Sequence, residues 1–288
     1  MATAQVNGID LEYDVLGGPD DPPMLLIKGL GAQLIDWPQE FCAALAGRGY
    51  RVIRFDNRDA GLSGGADGGP PDLAAVLAGD FRTVPYRLAD LAADAAGLLD
   101  ALGIEAAHVV GASMGGMIAQ QLALDFPGRV RSLCSIMSTT GDRSVGRPTP
   151  EAAMVLTRPG APSRDDAIAD AVAVSRRIGS PGFPADPADL LRRATAKVDR
   201  AYRPAGRARQ YAAILASSDR TERLRAVTVP TVVIHGADDP LVDVSGGRAT
   251  ADAIPGAELV VVAGMGHDLP RDAWPRIVDA IDRTARRW

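Results

Sequence analysis

Three side chains of this sequence have the types and order needed for nucleophilic acyl chemistry. Gly111-Ala112-Ser113-Met114-Gly115 fits the pattern G-x-S-x-G. Composition alone would produce about 0.14 such matches in a chain like this, so the pattern needs its context. It follows the apolar run His108–Gly111 directly and leads into the helically spaced segment Met114–Phe126. That is the strand–turn–helix setting in which a serine sits on a sharp, strained turn. Small neighbours let chain pass close to chain there, and a helix starting at Met114 aims its free N–H groups at the serine oxygen.

A serine hydroxyl is a poor nucleophile until a base takes its proton, and the base needs an acid to orient it. Of the three histidines, His108 and His235 fall within strand-like runs and read as structural. His267 lies in Gly264-Met265-Gly266-His267-Asp268, a glycine-rich loop after the last apolar run. Such loops, at the carboxyl ends of parallel strands, are where sites form. His267 is therefore the expected base. The acid should come from Gly236-Ala237-Asp238-Asp239-Pro240-Leu241-Val242. Asp239 is favoured over Asp238 because the following proline restricts its backbone, and the choice stays open between the two. An oxyanion needs two N–H donors: Met114, after the serine, and Leu30, in Lys28-Gly29-Leu30-Gly31. The chemistry implied is cleavage of a carboxylic ester through an acyl-enzyme, with no cofactor and no metal. No G-x-x-x-x-G-K-[ST] or H-E-x-x-H motif is present, and the serine turn is not G-x-G-x-x-G.

The elements that must position these residues alternate. Asp10–Leu16, Met24–Ile27, Arg51–Phe55, His108–Gly111, Val130–Met137, Thr231–His235 and Glu258–Val262 read as strands. Pro38–Ala46, Leu88–Leu102, Met114–Phe126, Ser245–Ala253 and Pro270–Arg286 read as helices between or after them. This predicts an α/β chain with a mostly parallel, doubly wound sheet. From Thr139 to Arg225 only helices are expected: Pro150–Leu156, Asp165–Arg177, Pro187–Tyr202 and Arg207–Ser217. Residues 1–138 and 226–288 are thus read as the core and 139–225 as an inserted helical cap. The cap's apolar underside would carry Leu156, Val172, Leu190, Leu191, Tyr211 and Leu215.

With these stretches assembled, the chain resembles the α/β-hydrolase fold with a cap, and within it the esterase group that includes aclacinomycin methylesterase. The resemblance is carried by Gly29-Leu30-Gly31 with Asp36-Trp37, by Arg54-Phe55-Asp56-Asn57-Arg58 with Gly61-Leu62-Ser63, by the serine turn, by Asp239-Pro240-Leu241 and by the His267 loop. It implies a small-molecule ester substrate; the pocket beneath the cap is expected to be formed by cap residues with Leu30, Trp37, Met114 and Leu241. A cofactor-free perhydrolase or haloperoxidase, a lactonase, a carbon–carbon bond hydrolase and a non-enzymatic ligand receptor are the alternatives. The chain departs from the family at Lys28, where many members have histidine. A buried lysine needs a partner, and Asp36 and Asp56 are the candidates.

The remaining composition narrows the partners. The 288 residues carry a net charge of −5, which argues against nucleic acid. No apolar run reaches the ~20 residues of a membrane span, and the first ten residues lack the features of a signal peptide. A cytoplasmic location is expected. Cys42 and Cys134 read as buried free thiols, and the oligomeric state is left open.

Overall fold

The computed structural model describes residues 1–288. The strands are β1 (Ala2–Val6), β2 (Ile9–Leu16), β3 (Pro23–Ile27), β4 (Arg51–Phe55), β5 (Ala107–Ala112), β6 (Val130–Ile136), β7 (Thr231–Gly236) and β8 (Glu258–Val262). They form one sheet in the order β1-β2-β4-β3-β5-β6-β7-β8. β1 and β2 are antiparallel to their neighbours, and the six strands from β4 to β8 run parallel. The α/β fold class read from the alternation is the one observed. β1 escaped that reading, although Asn7-Gly8 is a strong hairpin signal. Both residues have positive φ, 48° and 81°, as a two-residue turn that follows the sheet twist requires.

The helices flanking the sheet are α1 (Gln39–Ala46), α3 (Leu88–Ala101), α4 (Met114–Asp125), α10 (Val244–Ala253) and α11 (Trp274–Ala285), while the short α2 (Leu73–Leu77) lies in the connection from β4 to α3. Side chains alternate across a strand, so β3 sends Leu25 and Ile27 to the α3/α4 side and Met24 and Leu26 to the α1/α11 side. Both faces are covered, and the central strands therefore read as unbroken apolar runs. Ten of the twelve residues of α4 are buried, which makes it apolar almost all round and the most central helix.

Between β6 and β7 lie α5 (Pro150–Thr157), α6 (Arg164–Ile178), α7 (Pro187–Arg200), α8 (Pro204–Leu215) and α9 (Thr221–Leu224). α5, α7 and α8 start with proline at the first turn, where the missing N–H costs nothing. α8 therefore begins three residues before the expected start at Arg207. α2 and α9 are too short to show a period and were not expected. This segment is tied to loops at the carboxyl ends of the strands. Gln33 Nε2 donates to the carbonyls of Lys197 and Ala201, both at 2.8 Å, and Thr149 N–H donates to Pro240 at 2.8 Å. Arg209 forms a buried ion pair with Asp59 at 2.6 Å. Leu190 and Tyr211 are buried as expected, but Leu191 is 54% exposed and points to solvent.

The sheet order reverses direction at β3: the chain goes from β3 outward to β4, then crosses back to β5. The crevice beyond the carboxyl ends of β3 and β5 is the place where a doubly wound sheet offers its loops to a ligand.

Candidate active site

Ser113 stands between β5 and α4 at φ 58° and ψ −123°, a conformation that L-residues rarely adopt. The turn holds it there by closeness. A side chain at Gly111 would strike the Gly115 carbonyl, and one at Gly115 would strike the Ile27 carbonyl of β3. Ser113 N–H is bonded to the Ile136 carbonyl at 2.9 Å, and Ser138 Oγ donates to the Ser113 carbonyl at 2.9 Å. β3, β5 and β6 thus all grip the turn.

His267 Nε2 lies 2.9 Å from Ser113 Oγ, and its Nδ1 lies 2.7 Å from Asp239 Oδ2. The structure brings these three residues together from positions 154 and 28 residues apart. Asp239 Oδ1 accepts the N–H groups of Leu241 and Val242, both at 2.9 Å. Burial alone would raise the Asp239 pKa. The histidine charge and the hydrogen bonds from His235, His267 and Val242 outweigh it and hold the carboxyl well below the usual carboxylate range. Asp238, the competing aspartate, is exposed and turned away. Its carboxylate accepts Gly264 N–H at 2.8 Å and so braces the histidine loop.

The Leu30 loop passes directly over the serine. A Cβ placed on Gly29 would lie 2.9 Å from Ser113 Cβ and 3.3 Å from Oγ. Leu30 follows Gly29, and Met114 opens α4, where the first helical amides have no intrahelical acceptor. Leu30 and Leu241 are half-buried. Trp37 departs from the expectation: it has no exposed surface and stacks on Phe41 at 5.7 Å, inside the core. It cannot line a pocket. Lys28 also departs, because it pairs with neither expected carboxylate. Asp36 binds Lys197 at 2.9 Å, and Asp56 binds Arg200 at 2.7 Å. The Lys28 ammonium instead sits over the Trp37 ring, 4.3 Å from its centre.

Three contributors had no signal in the sequence. Gln210 of α8, fully buried, accepts Gly31 N–H at 2.7 Å and donates to the Arg58 carbonyl at 2.8 Å, fixing the Leu30 loop. Ser180, between α6 and α7, accepts Gly266 N–H at 2.9 Å and donates to Asp268. His235 donates Nε2–H to the Val242 carbonyl at 2.8 Å, and the same nitrogen lies 3.5 Å from Asp239 Oδ2. His108 is remote from all of this: it bonds Ser132 at 2.9 Å, and burial lowers its pKa to about 4.

Among known proteins, residues 22–271 match the family described as alpha/beta hydrolase fold. The chain is 32% identical over 281 residues to rhodomycin D methylesterase DnrP of Streptomyces peucetius, covering 91% of this chain and 90% of that protein. It is 28% identical to 3-oxoadipate enol-lactonase 2 of Acinetobacter baylyi, over 90% of this chain and 87% of that one. The crystal structure of the enol-lactonase from Burkholderia xenovorans LB400 superimposes with a TM-score of 0.73 at 26% identity, covering 99% of this chain and 98% of that one. No helix is long and apolar enough to cross a membrane. The methylesterase resemblance read from the motifs is upheld, and the chain belongs to the alpha/beta hydrolase fold family.

Proposed function

We propose that the protein hydrolyses a carboxylic ester through an acyl-enzyme formed on Ser113. The observation that carries this reading is the hydrogen-bonded line Ser113–His267–Asp239, with contacts of 2.9 and 2.7 Å. Asp239 accepts His267 Nδ1–H, which fixes the tautomer and leaves Nε2 as an acceptor for the Ser113 hydroxyl proton. Ser113 Oγ attacks the ester carbonyl while His267 takes that proton. The tetrahedral oxyanion is held by the N–H groups of Leu30 and Met114, each worth roughly 10²–10³ in rate. Collapse breaks the ester C–O bond, and His267 returns the proton to the departing alcohol. Water, deprotonated by His267, then attacks the acyl-serine, and the acid leaves with Ser113 restored. No cofactor or metal takes part. The helices α5–α9 act as a cap over the serine. Leu30 and Leu241 line the pocket, whose apolar walls favour an uncharged group on one side of the ester. The likeness to two enol-lactonases supports a lactone, an internal ester cleaved by the same steps, as a second reading.

The test is a panel of methyl and p-nitrophenyl esters of graded acyl size with the wild type and Ser113→Ala. The variant should lose turnover of every ester the wild type cleaves, and a fluorophosphonate should label Ser113 alone. Labelling of another serine, or turnover that persists in the variant, overturns the assignment.

A further inference from the structure

Lys28 is a cation without an anion. Its backbone is part of the site, since its carbonyl accepts Asn57 Nδ2–H at 2.9 Å and the next residue, Gly29, lies against Ser113. Along β3 the side chains of Met24 and Leu26 point to the α1 side, and Lys28 continues that row toward Trp37. Around its ammonium lie Asp36, Lys197, Cys42 and Asp268, the last beside His267. Each carboxylate in that group already has a closer partner. Asp36 takes Lys197 Nζ at 2.9 Å and Gln33 N–H at 2.7 Å, and Asp268 takes Ser180 Oγ–H. The ammonium has three donors, and it sits over the face of an indole, which accepts no ordinary hydrogen bond. Burial lowers its pKa to about 8, so it is still mostly protonated at neutral pH. Yet Lys28 is not sealed in: it keeps accessible surface, as do Leu30 and Ser113 nearby, although Gly29 and Ile27 have almost none. Arg131 also lacks a carboxylate and lies over an indole, but that is Trp288, at the far end of β5 beside His108. Arg220 and Arg207, two further deep cations without a carboxylate contact, differ. Their guanidinium groups bind backbone carbonyls, and Arg220 also binds Gln120.

We propose that the Lys28 ammonium, next to the Leu30 loop, binds a carboxylate carried by the ester substrate itself, so that the preferred substrate is an acidic ester such as a dicarboxylic acid half-ester. The proposal rests on the ester-hydrolase reading of Ser113. An ammonium is a point charge on a flexible stem and can meet a carboxylate without demanding one fixed angle. Desolvated by its surroundings, it attracts an anion more strongly than a surface lysine would. The indole face holds the ammonium by its quadrupole and takes none of its N–H groups in an ordinary hydrogen bond.

The experiment compares kcat/KM for matched esters with the full-length protein. On the acyl side, monomethyl adipate is paired with methyl hexanoate. On the alcohol side, O-butyrylglycolate is paired with propyl butyrate. The wild type should favour the acidic member of at least one pair tenfold or more. Lys28→Met, similar in volume but uncharged, should cut that ratio at least tenfold, and Lys28→Arg should keep part of it. A wild-type ratio at or below one in both pairs overturns the proposal without any variant, and so does a ratio that Lys28→Met leaves within threefold. Lys28→Gln replaces Lys28→Met if the latter does not fold. Fluorophosphonate labelling of Ser113 is read in parallel. Labelling with a ratio near one rejects the role of Lys28 alone. Absence of both labelling and turnover rejects the esterase reading, and the Lys28 proposal falls with it.

Discussion

The serine turn and the two loops that face it are held by different forces. Around Ser113 the backbone is wedged: Gly111, Gly115 and Gly29 sit where any side chain would collide with a neighbouring strand, turn or loop. The Leu30 loop and the His267 loop carry close-packed glycines too, but they are tied in addition by hydrogen bonds to the helical segment, through Gln210 for one and through Ser180 and the Ile178 carbonyl for the other. Steric wedging tolerates no change but needs no partner. Polar suspension can be released and remade. Ser113 thus sits in the wedged turn, while the Leu30 and His267 loops also depend on their hydrogen bonds to the helical segment between β6 and β7.

The largest effect that probes this contrast is on the acid. Asp239→Asn should lower kcat by about 10⁴, as loss of the orienting carboxylate does in enzymes of this type. Asp238→Asn, which can still accept Gly264 N–H through its amide oxygen, should cost less than about tenfold. Steady-state kinetics on one ester ranks the two, and the reverse ranking would move the acid to Asp238. On the wedged side, Gly115→Ala drives a Cβ into the Ile27 carbonyl and should destabilise the fold by about 3 kcal/mol, measured by urea unfolding. An alanine accepted there without loss would break the contrast. On the suspended side, Gln210→Leu strips the Gly31 N–H of its acceptor. It should lower kcat by roughly 10–100-fold, part of the value of one oxyanion donor, while fluorophosphonate labelling of Ser113 persists. Equal loss of labelling and of folded protein would mean that the Leu30 loop is not separately suspended.

The smallest effect concerns the far end of the strand that bears the serine. His108 is buried against Tyr50 and Trp288, and its pKa falls from the ordinary 6.5 to about 4. The folded protein therefore resists a proton that the unfolded chain accepts. Stability is full above pH 6.5, declines as pH drops toward 4, and is level below that. At pH 5.5 the loss should be about 1 kcal/mol. Urea titrations at pH 7.5 and 5.5 measure it, and His108→Gln should remove that part of the difference.

Legibility in the sequence follows the same division. Wedged features are local: glycines at fixed offsets around Ser113, a strand before it and a helix after it can be read within a dozen residues. The parallel sheet was legible because both of its faces are covered, which leaves unbroken apolar runs. Asp239 could be preferred to Asp238 because proline acts on its immediate neighbour. Gln210 could not be found, because its partner Gly31 is 179 residues away and nothing near either residue marks the contact. Trp37 misled for a related reason: its place beside the Leu30 loop in sequence says nothing of which way the ring turns, and it turned into the core. β1 was missed despite its turn signal, since an edge strand with one covered face has little apolar pattern.

The tie between the segment after α6 and the base has a further consequence. His267 donates its own backbone N–H to the Ile178 carbonyl at 2.7 Å, and Gly182 N–H reaches the Gly264 carbonyl at 2.9 Å. If these helices lift to admit a ligand, the His267 loop loses these bonds in the same event and keeps only its ties to the strand side, among them Asp238. On the proposed ester-hydrolase reading, admission of a ligand and full positioning of His267 would then alternate in time. Amide protons exchange with solvent only when their hydrogen bonds open, so the exchange rate of one proton, the backbone N–H of His267, counts those openings.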